Sequence, residues 1–383
     1  ELFQWLGAGV TGAAIANVAS AGEVISSAGA QPIGKARNVI FILCTGAMSH
    51  VDTFDFKMTP DTPTDLLKPE KVNGLDWPSG LMPRLGQSLG DLAIVRSVRS
   101  WALQHNLAQT WTQIGRNPAA ALGDIAPNTG SIVAIEKQKE RLATDVFPIF
   151  LGLNAGDMAG PGYLSSQYAP LKISPSTSGL PDTTNADGQT RFENKYALMK
   201  SLDGSLRAGT VSMEFSDYGA FYEAGKAMMF NTSVNEAFRF TADESATYGS
   251  SGFGNACLLA HKVLRANMGT RYIQINFGGW DHHQDIYATN VNNKLPGLTK
   301  QLDDGLAQML ADMKSSGLLD QTLVVLMSEF GRTVGAITSQ DGRDHYLQQF
   351  AVFAGAGIHA GRTLGSTNAD GSATATYAWN QDR

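Results

Sequence analysis

The chain has little of what stabilises small stapled scaffolds or binds nucleic acid. Only two cysteines, Cys44 and Cys257, occur in 383 residues. That excludes a disulfide framework and a thiolate zinc site, leaving at most one pairing. Charged residues are sparse, at 17%, and 29 Lys+Arg against 35 Asp+Glu give a net charge of −6. No basic block stands anywhere, which argues against duplex nucleic acid, whose binding relies on clustered cations displacing counterions. No repeat of about 20–50 residues is visible. No run of about 20 strongly apolar residues marks a membrane anchor in the mature chain. Histidine is also scarce, with seven in all, and their positions carry most of the functional reading.

Hydrophobic residues are plentiful, at 43%, so a sizeable core is available and global disorder is excluded. The leading segment is distinct in composition. Leu2 to Ala30 holds no Lys or Arg, is rich in Ala, Gly, Val and Ser, and closes on Ala28-Gly29-Ala30, a pattern of the kind signal peptidase cuts. Glu1-Leu2-Phe3 resembles the tail of a twin-arginine signal whose arginines lie upstream. Residues 1–30 are therefore expected to be an export signal, the alternative being an Ala-rich helix packed on the domain. The protein is expected to be exported, periplasmic or extracellular. The remainder, 35–383, is about 350 residues, which suits one large domain better than two. It ends in a Gly/Ser/Thr/Ala-rich stretch without a closing helix, suggesting truncation there.

Short apolar runs rich in β-branched and aromatic residues alternate with helical patterns: Val39–Leu43, Leu92–Val95, Phe147–Leu151, Tyr272–Phe277, Thr322–Met327 and Phe350–Phe353. Such continuous apolar strands, separated by helices, predict a parallel sheet buried on both faces. The clearest helix precedes the fifth run. Leu298, Leu302, Leu306, Met309, Leu310 and Met313 form its apolar stripe, Asp303, Asp304, Gln308 and Asp312 fall off it, and Gly317 stops it. Leu164–Lys195, rich in Ser, Pro, Thr, Asp and Gly, reads as a long loop, either a lid or a surface excursion. The expected fold class is α/β: a three-layer α/β/α sandwich with a largely parallel sheet.

In open α/β sheets ligands bind beyond the carboxyl ends of the strands. Those ends lead here into Thr45-Gly46-Ala47-Met48-Ser49-His50-Val51-Asp52, Gly279-Trp280-Asp281-His282-His283 and Ser328-Glu329-Phe330-Gly331-Arg332, followed by Gly342-Arg343-Asp344-His345. Another leads from Arg96 through Arg99 to His105. Five histidines (50, 105, 282, 283 and 345) thus follow strands, most beside carboxylates, and only His261 and His359 stand apart. Imidazole with carboxylate suits a divalent first-row metal such as zinc, manganese or iron. Each residue also has a plainer reading. Asp52 and Asp55 suit helix caps, Glu329 suits a partner of Arg332 or Arg343, and Ser49 and Thr45 are common turn residues. Arg96, Arg99, Arg332 and Arg343 suit either a clamp on a tetrahedral oxyanion or ion pairs with nearby acids.

The blocks Met48–Asp55, Gly279–His283, Ser328–Thr333 and Gly342–His345, in that order, resemble the bacterial family DUF1501 of the alkaline phosphatase/sulfatase-like superfamily. The resemblance runs from about Lys35 to the end of the chain. It implies a divalent metal, with zinc first and calcium, magnesium or manganese as alternatives, and a phosphate or sulfate ester as substrate. By position it implies Asp281, His283, Glu329 and His345 as ligands, with His50, Asp52 and Asp344 as further ligands or orienting partners. Departures accompany it: Phe330 stands where the superfamily has a second ligand, and no carboxylate lies near Thr45. Sulfatases carry their nucleophile ahead of a helix ending Thr-Gly-Arg. Ile114-Gly115-Arg116-Asn117-Pro118 resembles that ending, and counting back from Gly115 reaches His105. His105 is then either a contact to the scissile group or a covalent nucleophile, or else a metal ligand or loop histidine. Thr45 and Ser49 are the other candidate nucleophiles. The expected function is an exported metal-dependent hydrolase acting on a small-molecule or polysaccharide ester. The alternative is a non-catalytic exported protein binding metal, carbohydrate or protein.

Overall fold

The computed structural model describes residues 34–116, 126–156, 158–207 and 213–378, with backbone only at 204–207 and 213–218. The expected export segment and the Asn117-Pro118 end of the Gly-Arg motif lie outside them. A central eight-stranded sheet organises the molecule. In chain order its strands are β1 (Asn38–Cys44), β2 (Leu92–Arg99), β3 (Phe150–Leu153), β4 (Leu171–Ile173), β5 (Tyr272–Phe277), β6 (Thr322–Ser328), β7 (Gln348–Gly355) and β8 (Arg362–Leu364). Their spatial order is β8-β2-β7-β6-β1-β5-β3-β4. Neighbours pair in parallel, except that β7 runs antiparallel to both β2 and β6.

The alternation of β1 explains the layers. Ile40 and Ile42 point into the main core, beside Ile273, Ile275, Val324 and Leu326, under the helices α3 (Gly252–Ala266) and α4 (Leu295–Ser315). Phe41 and Leu43 point the other way, to a smaller core with Ile149, Phe150 and Ala134 of α2 (Thr129–Lys137). Each fully buried Leu or Ile contributes about 1.5–3 kcal/mol, so the strand is held from both faces. α1 (His105–Ile114) stops at Gly115, whose left-handed φ of 66° ends the helix. The three-layer α/β/α sandwich with a largely parallel sheet is the architecture expected from the sequence.

Four local readings change. The third strand begins at Phe150 rather than Phe147, because Pro148 has no N–H to pair and residues 147–149 make irregular bonds to 268–272. β4 and β8 are three-residue edge strands with no apolar alternation to reveal them. The expected loop is interrupted by β4 and ends at Gln189, where a helix runs to Arg207. Asp303 is buried rather than solvated; its carboxylate accepts from the backbone N–H of Leu85 at 2.7 Å and of Arg84 at 3.1 Å, at the start of the helix Pro83–Gln87. Cys44 and Cys257 are free and buried. Among the described residues no helix is long and apolar enough to cross a membrane.

Candidate metal centre

Above the ends of β1, β5 and β6, three segments bring imidazoles around one carboxylate. Ligand atoms of His105, Asp281 and His345 lie within 4.8 Å of one another. His105 Nε2 is 3.5 Å from Asp281 Oδ1, His345 Nε2 is 3.8 Å from it, and His283 Nε2 is 3.0 Å from it. His283 and His345 face each other Nε2 to Nε2 at 3.1 Å.

The other ring nitrogen of each histidine decides its tautomer. His345 Nδ1 donates to the Leu103 carbonyl at 2.7 Å, and His283 Nδ1 donates to Asp344 at 2.8 Å. His105 Nδ1 donates to Glu329 Oε1 at 2.5 Å, an oxygen already fixed as an acceptor by the Gly46 N–H at 2.8 Å. All three Nε2 atoms therefore turn lone pairs toward Asp281. Two bare nitrogens at 3.1 Å cannot bond each other without a cation or an added proton between them. The buried His105 Nε2 also lacks a hydrogen-bond partner among the described residues. Tetrahedral sites with bonds of 2.0–2.1 Å have ligand–ligand edges of about 3.4 Å, near the spacings seen. Tying each distal nitrogen to an acceptor is also how metal-binding histidines are oriented. The residues fit a divalent cation.

Arg332 holds the centre together. It is fully buried, donating from Nε to the Ala47 carbonyl at 2.9 Å and from one terminal nitrogen to the Arg343 carbonyl at 3.0 Å. That same nitrogen lies 3.4 Å from His283 Nε2, and the other reaches Asp281 at 2.5 Å and the Gly46 carbonyl. Burial acts to raise the Asp281 carboxyl, but the Arg332 hydrogen bond and charge outweigh it, and the group sits below the ordinary carboxylate range. Burial pushes Glu329 up, against the opposing pull of His105. Burial lowers His345, despite its bond to Leu103, with Arg332 adding to the effect; a neutral, ligating imidazole is favoured. Phe330 packs on the rings of His105 and His345, with centroids 5.0 and 4.6 Å away, and closes one side of the cluster.

The structure divides the sequence candidates between this cluster and a second, buried network. Asp52 is fully buried and accepts from Arg343 Nε at 2.8 Å, Tyr287 at 2.7 Å and Ser49 at 2.5 Å. His50 faces the Gly371 carbonyl at 3.0 Å and stacks on Tyr346. His50, Asp52 and Ser49 are thus spent on packing the loop after β1 and are not brought among the ligands. Nor do the arginines form an open clamp. Arg332 and Arg343 are fully buried with their donors occupied, and Arg96 approaches Asp55 at 3.6 Å. Thr45 directly follows β1, beside Gly278. The Asp344 carboxylate contacts the far nitrogen of His283 rather than the one that faces the cluster. Sequence reasoning missed what the glycines do. A Cβ on Gly342 would lie 2.0 Å from the His283 carbonyl group, and one on Gly46, at φ +95°, 2.7 Å from the Asp281 nitrogen. Glycine itself, at 46 and 342, is the signal for such a close approach.

His282 points away from the cluster, facing the Asn293 carbonyl at 3.1 Å. Burial, only partly opposed by that contact, pushes its imidazole down from 6.5 to about 4. Between those values the unfolded chain binds a proton that the folded chain refuses. Stability should therefore fall as pH drops through this window, by up to about 1.4 kcal/mol per unit, and be complete above it. Burial moves His50 and His345 in the same direction. Urea melts from pH 7 to 4.5 should show a shallower slope in His282→Gln than in the parent; equal slopes would contradict the assignment.

An α/β/α sandwich with an imidazole–carboxylate cluster above its parallel strand ends defines a class of candidate metalloprotein. The chain belongs to the DUF1501 family, described as proteins of unknown function, whose model matches residues 36–381. No curated protein matches significantly in sequence. Among solved structures, the chain is similar to a protein in the alkaline phosphatase superfamily from Vibrio parahaemolyticus, with 10% identity and TM-score 0.41, over 87% of this chain and 64% of that one. It is also similar to the PsFucS1 sulfatase from Pseudoalteromonas sp., with 13% identity and TM-score 0.40, over 86% and 65%. A third is the C-terminal periplasmic domain of EcEptC from Escherichia coli in complex with Zn, with 9% identity and TM-score 0.34, over 84% and 74%. The chain thus spans less than two thirds of the first two.

Proposed function

We propose that the chain is an exported, metal-dependent hydrolase of phosphate or sulfate esters. The observation that supports this most is the convergence of the His105, His283 and His345 Nε2 lone pairs on Asp281. His105, Asp281 and His345 would hold a divalent cation, zinc by the donor set, with His283 beside them. A cation bound there supplies Lewis acidity to an ester oxygen and lowers the pKa of a bound water. The chain's own residues prepare the place. Glu329 keeps the His105 proton on Nδ1, Asp344 does the same for His283, and Arg332 keeps Asp281 ionised. Phe330 shields one flank and, standing where a further ligand is expected, limits the centre to one cation. This arrangement favours water, rather than His105, as the attacking group, because the free nitrogen of His105 is directed at the cation. Export rests on the composition of Leu2–Ala30.

The test combines metal analysis of the purified protein with assays on 4-nitrophenyl phosphate and 4-nitrophenyl sulfate. The expected result is stoichiometric divalent metal, and turnover of one ester that a chelator removes and the metal restores. A metal-loaded protein inert to both esters would favour a non-catalytic binding role. A metal-free protein whose melting a chelator leaves unchanged would remove the site.

A further inference from the structure

A cavity of about 790 Å³ adjoins the candidate metal centre. Leu103 lines it and accepts the His345 Nδ1 hydrogen through its carbonyl, and Tyr346, the next residue after His345, lines it too. Its walls are stitched together by bonds between distant segments. Tyr346 donates to the Ser372 carbonyl at 2.8 Å, Ser100 N–H to the Leu347 carbonyl at 2.8 Å, and Ala378 N–H to Ser97 Oγ at 3.0 Å. The cleft is therefore built before any ligand arrives.

Two of its residues are large aromatics left in solvent: Trp101 is 55% exposed and Tyr377 48%. Arg99, also exposed, makes no ion pair among the described residues. Exposed aromatic faces inside a concavity mark a binding surface, because folding leaves their apolar area unused. Here they sit with a guanidinium that has no ion partner among the described residues, and with the hydroxyls of Ser97, Ser372 and Thr374 along the wall. Flat C–H faces pack on aromatic rings while hydroxyls around the edge reach polar partners. A guanidinium prefers a planar carboxylate or a tetrahedral oxyanion. In a chain of net charge −6, a lone cation in a cleft also draws anions specifically to that place.

We propose that this cleft is a subsite for an anionic pyranose, stacked on Trp101 and Tyr377 and paired with Arg99. The hydrolase reading is needed only for the corollary that the ester-bearing neighbour of this sugar lies at the metal centre, making the substrate an acidic saccharide.

Calorimetric titration of the full chain tests this with three probes. Methyl glucuronide has ring and charge, methyl glucoside has the ring alone, and gluconate has the charge and hydroxyls without the ring. Methyl glucuronide should bind best. Trp101→Ala should weaken it about tenfold, the scale of one lost stacking contact. Arg99→Gln should weaken glucuronide several-fold and leave glucoside unchanged. Gluconate should be insensitive to Trp101→Ala, whatever it does at the metal. Both side chains are exposed, so thermal melting should be unaltered in the variants. The subsite is overturned if glucuronide does not bind, if it binds Trp101→Ala and Tyr377→Ala as tightly as the parent, or if AMP binds more tightly with the same dependence on Trp101, which would make the ligand a nucleobase. Binding needs no turnover and aryl-ester hydrolysis needs no sugar. Glucuronide binding without hydrolysis of either ester therefore keeps the subsite and removes the hydrolase, and hydrolysis without glucuronide binding does the reverse.

Discussion

Replacing Arg343 by methionine is expected to destabilise the protein by about 3–5 kcal/mol, enough to lower its melting temperature severely or leave it unfolded. Arg343 and Asp52 are both fully buried and joined at 2.8 and 3.3 Å. Arg343 also donates to the Thr333 and Gly335 carbonyls at 2.8 and 3.0 Å. Removing the guanidinium strands a carboxylate away from water, with Ser49 and Tyr287 left to donate to it among the described residues. The loss belongs to the unpaired charge, so Asp52→Asn in the Arg343→Met background should recover part of it. Chemical denaturation of the two variants checks this. If Arg343→Met melts within 1 kcal/mol of the parent, taken as about the scale of an exposed pair, the network is not the anchor described.

His345→Ala should act on metal rather than on folding. Its ring is partly exposed and its Nε2 points into the cluster, so truncation leaves no buried charge unpaired. Losing a ligand should cost metal affinity at least about 100-fold, the upper end for an outer partner, while Asp344→Asn should cost about 10–100-fold by loosening His283. His50→Ala should leave metal affinity unchanged, because His50 belongs to the buried network. Equilibrium dialysis with zinc separates the three. Equal loss in His50→Ala and His345→Ala would mean that the division between centre and network is drawn in the wrong place.

That division marks how far the sequence could be read. Strands β1, β5 and β6 follow from apolar runs, and the rule that sites lie past strand ends leads directly to His105, Asp281, His283, Glu329 and His345. The same rule delivers His50, Asp52 and Arg343, which also follow strand ends, and His50 and Asp52 carry the same imidazole and carboxylate groups. What separates the two groups is the direction of a few side chains after a turn. Asp281 and His283 face the cluster, while His282 between them faces Asn293. That direction is set by long-range bonds, such as Arg332 to Asp281 and Arg343 to Asp52, which no local pattern encodes. Of the acceptors that fix the tautomers, Asp344 is among the sequence candidates as a ligand or orienting partner, whereas the Leu103 carbonyl is invisible for the same reason. The oxyanion clamp failed on burial: an arginine beside a carboxylate in sequence gives no sign of whether its donors are already used.

The one strand that runs against its neighbours has a consequence for the centre. Because β7 is antiparallel to β6, the chain leaves and re-enters the sheet at the same end. Residues 329–347 are therefore an excursion pinned at both feet, and it carries Glu329, Arg332, Arg343, Asp344 and His345. A parallel β7 would have required a helical crossover and carried the chain to the opposite end of the sheet before its return. As built, the outer turn is tied down as well: the Gln340 and Asp341 carbonyls accept from the N–H groups of Asp285 and Ile286 at 3.0 and 2.8 Å, and Ile337 packs against the main core. The excursion is thus braced at its feet and at its tip, and the candidate ligands it carries are held from both.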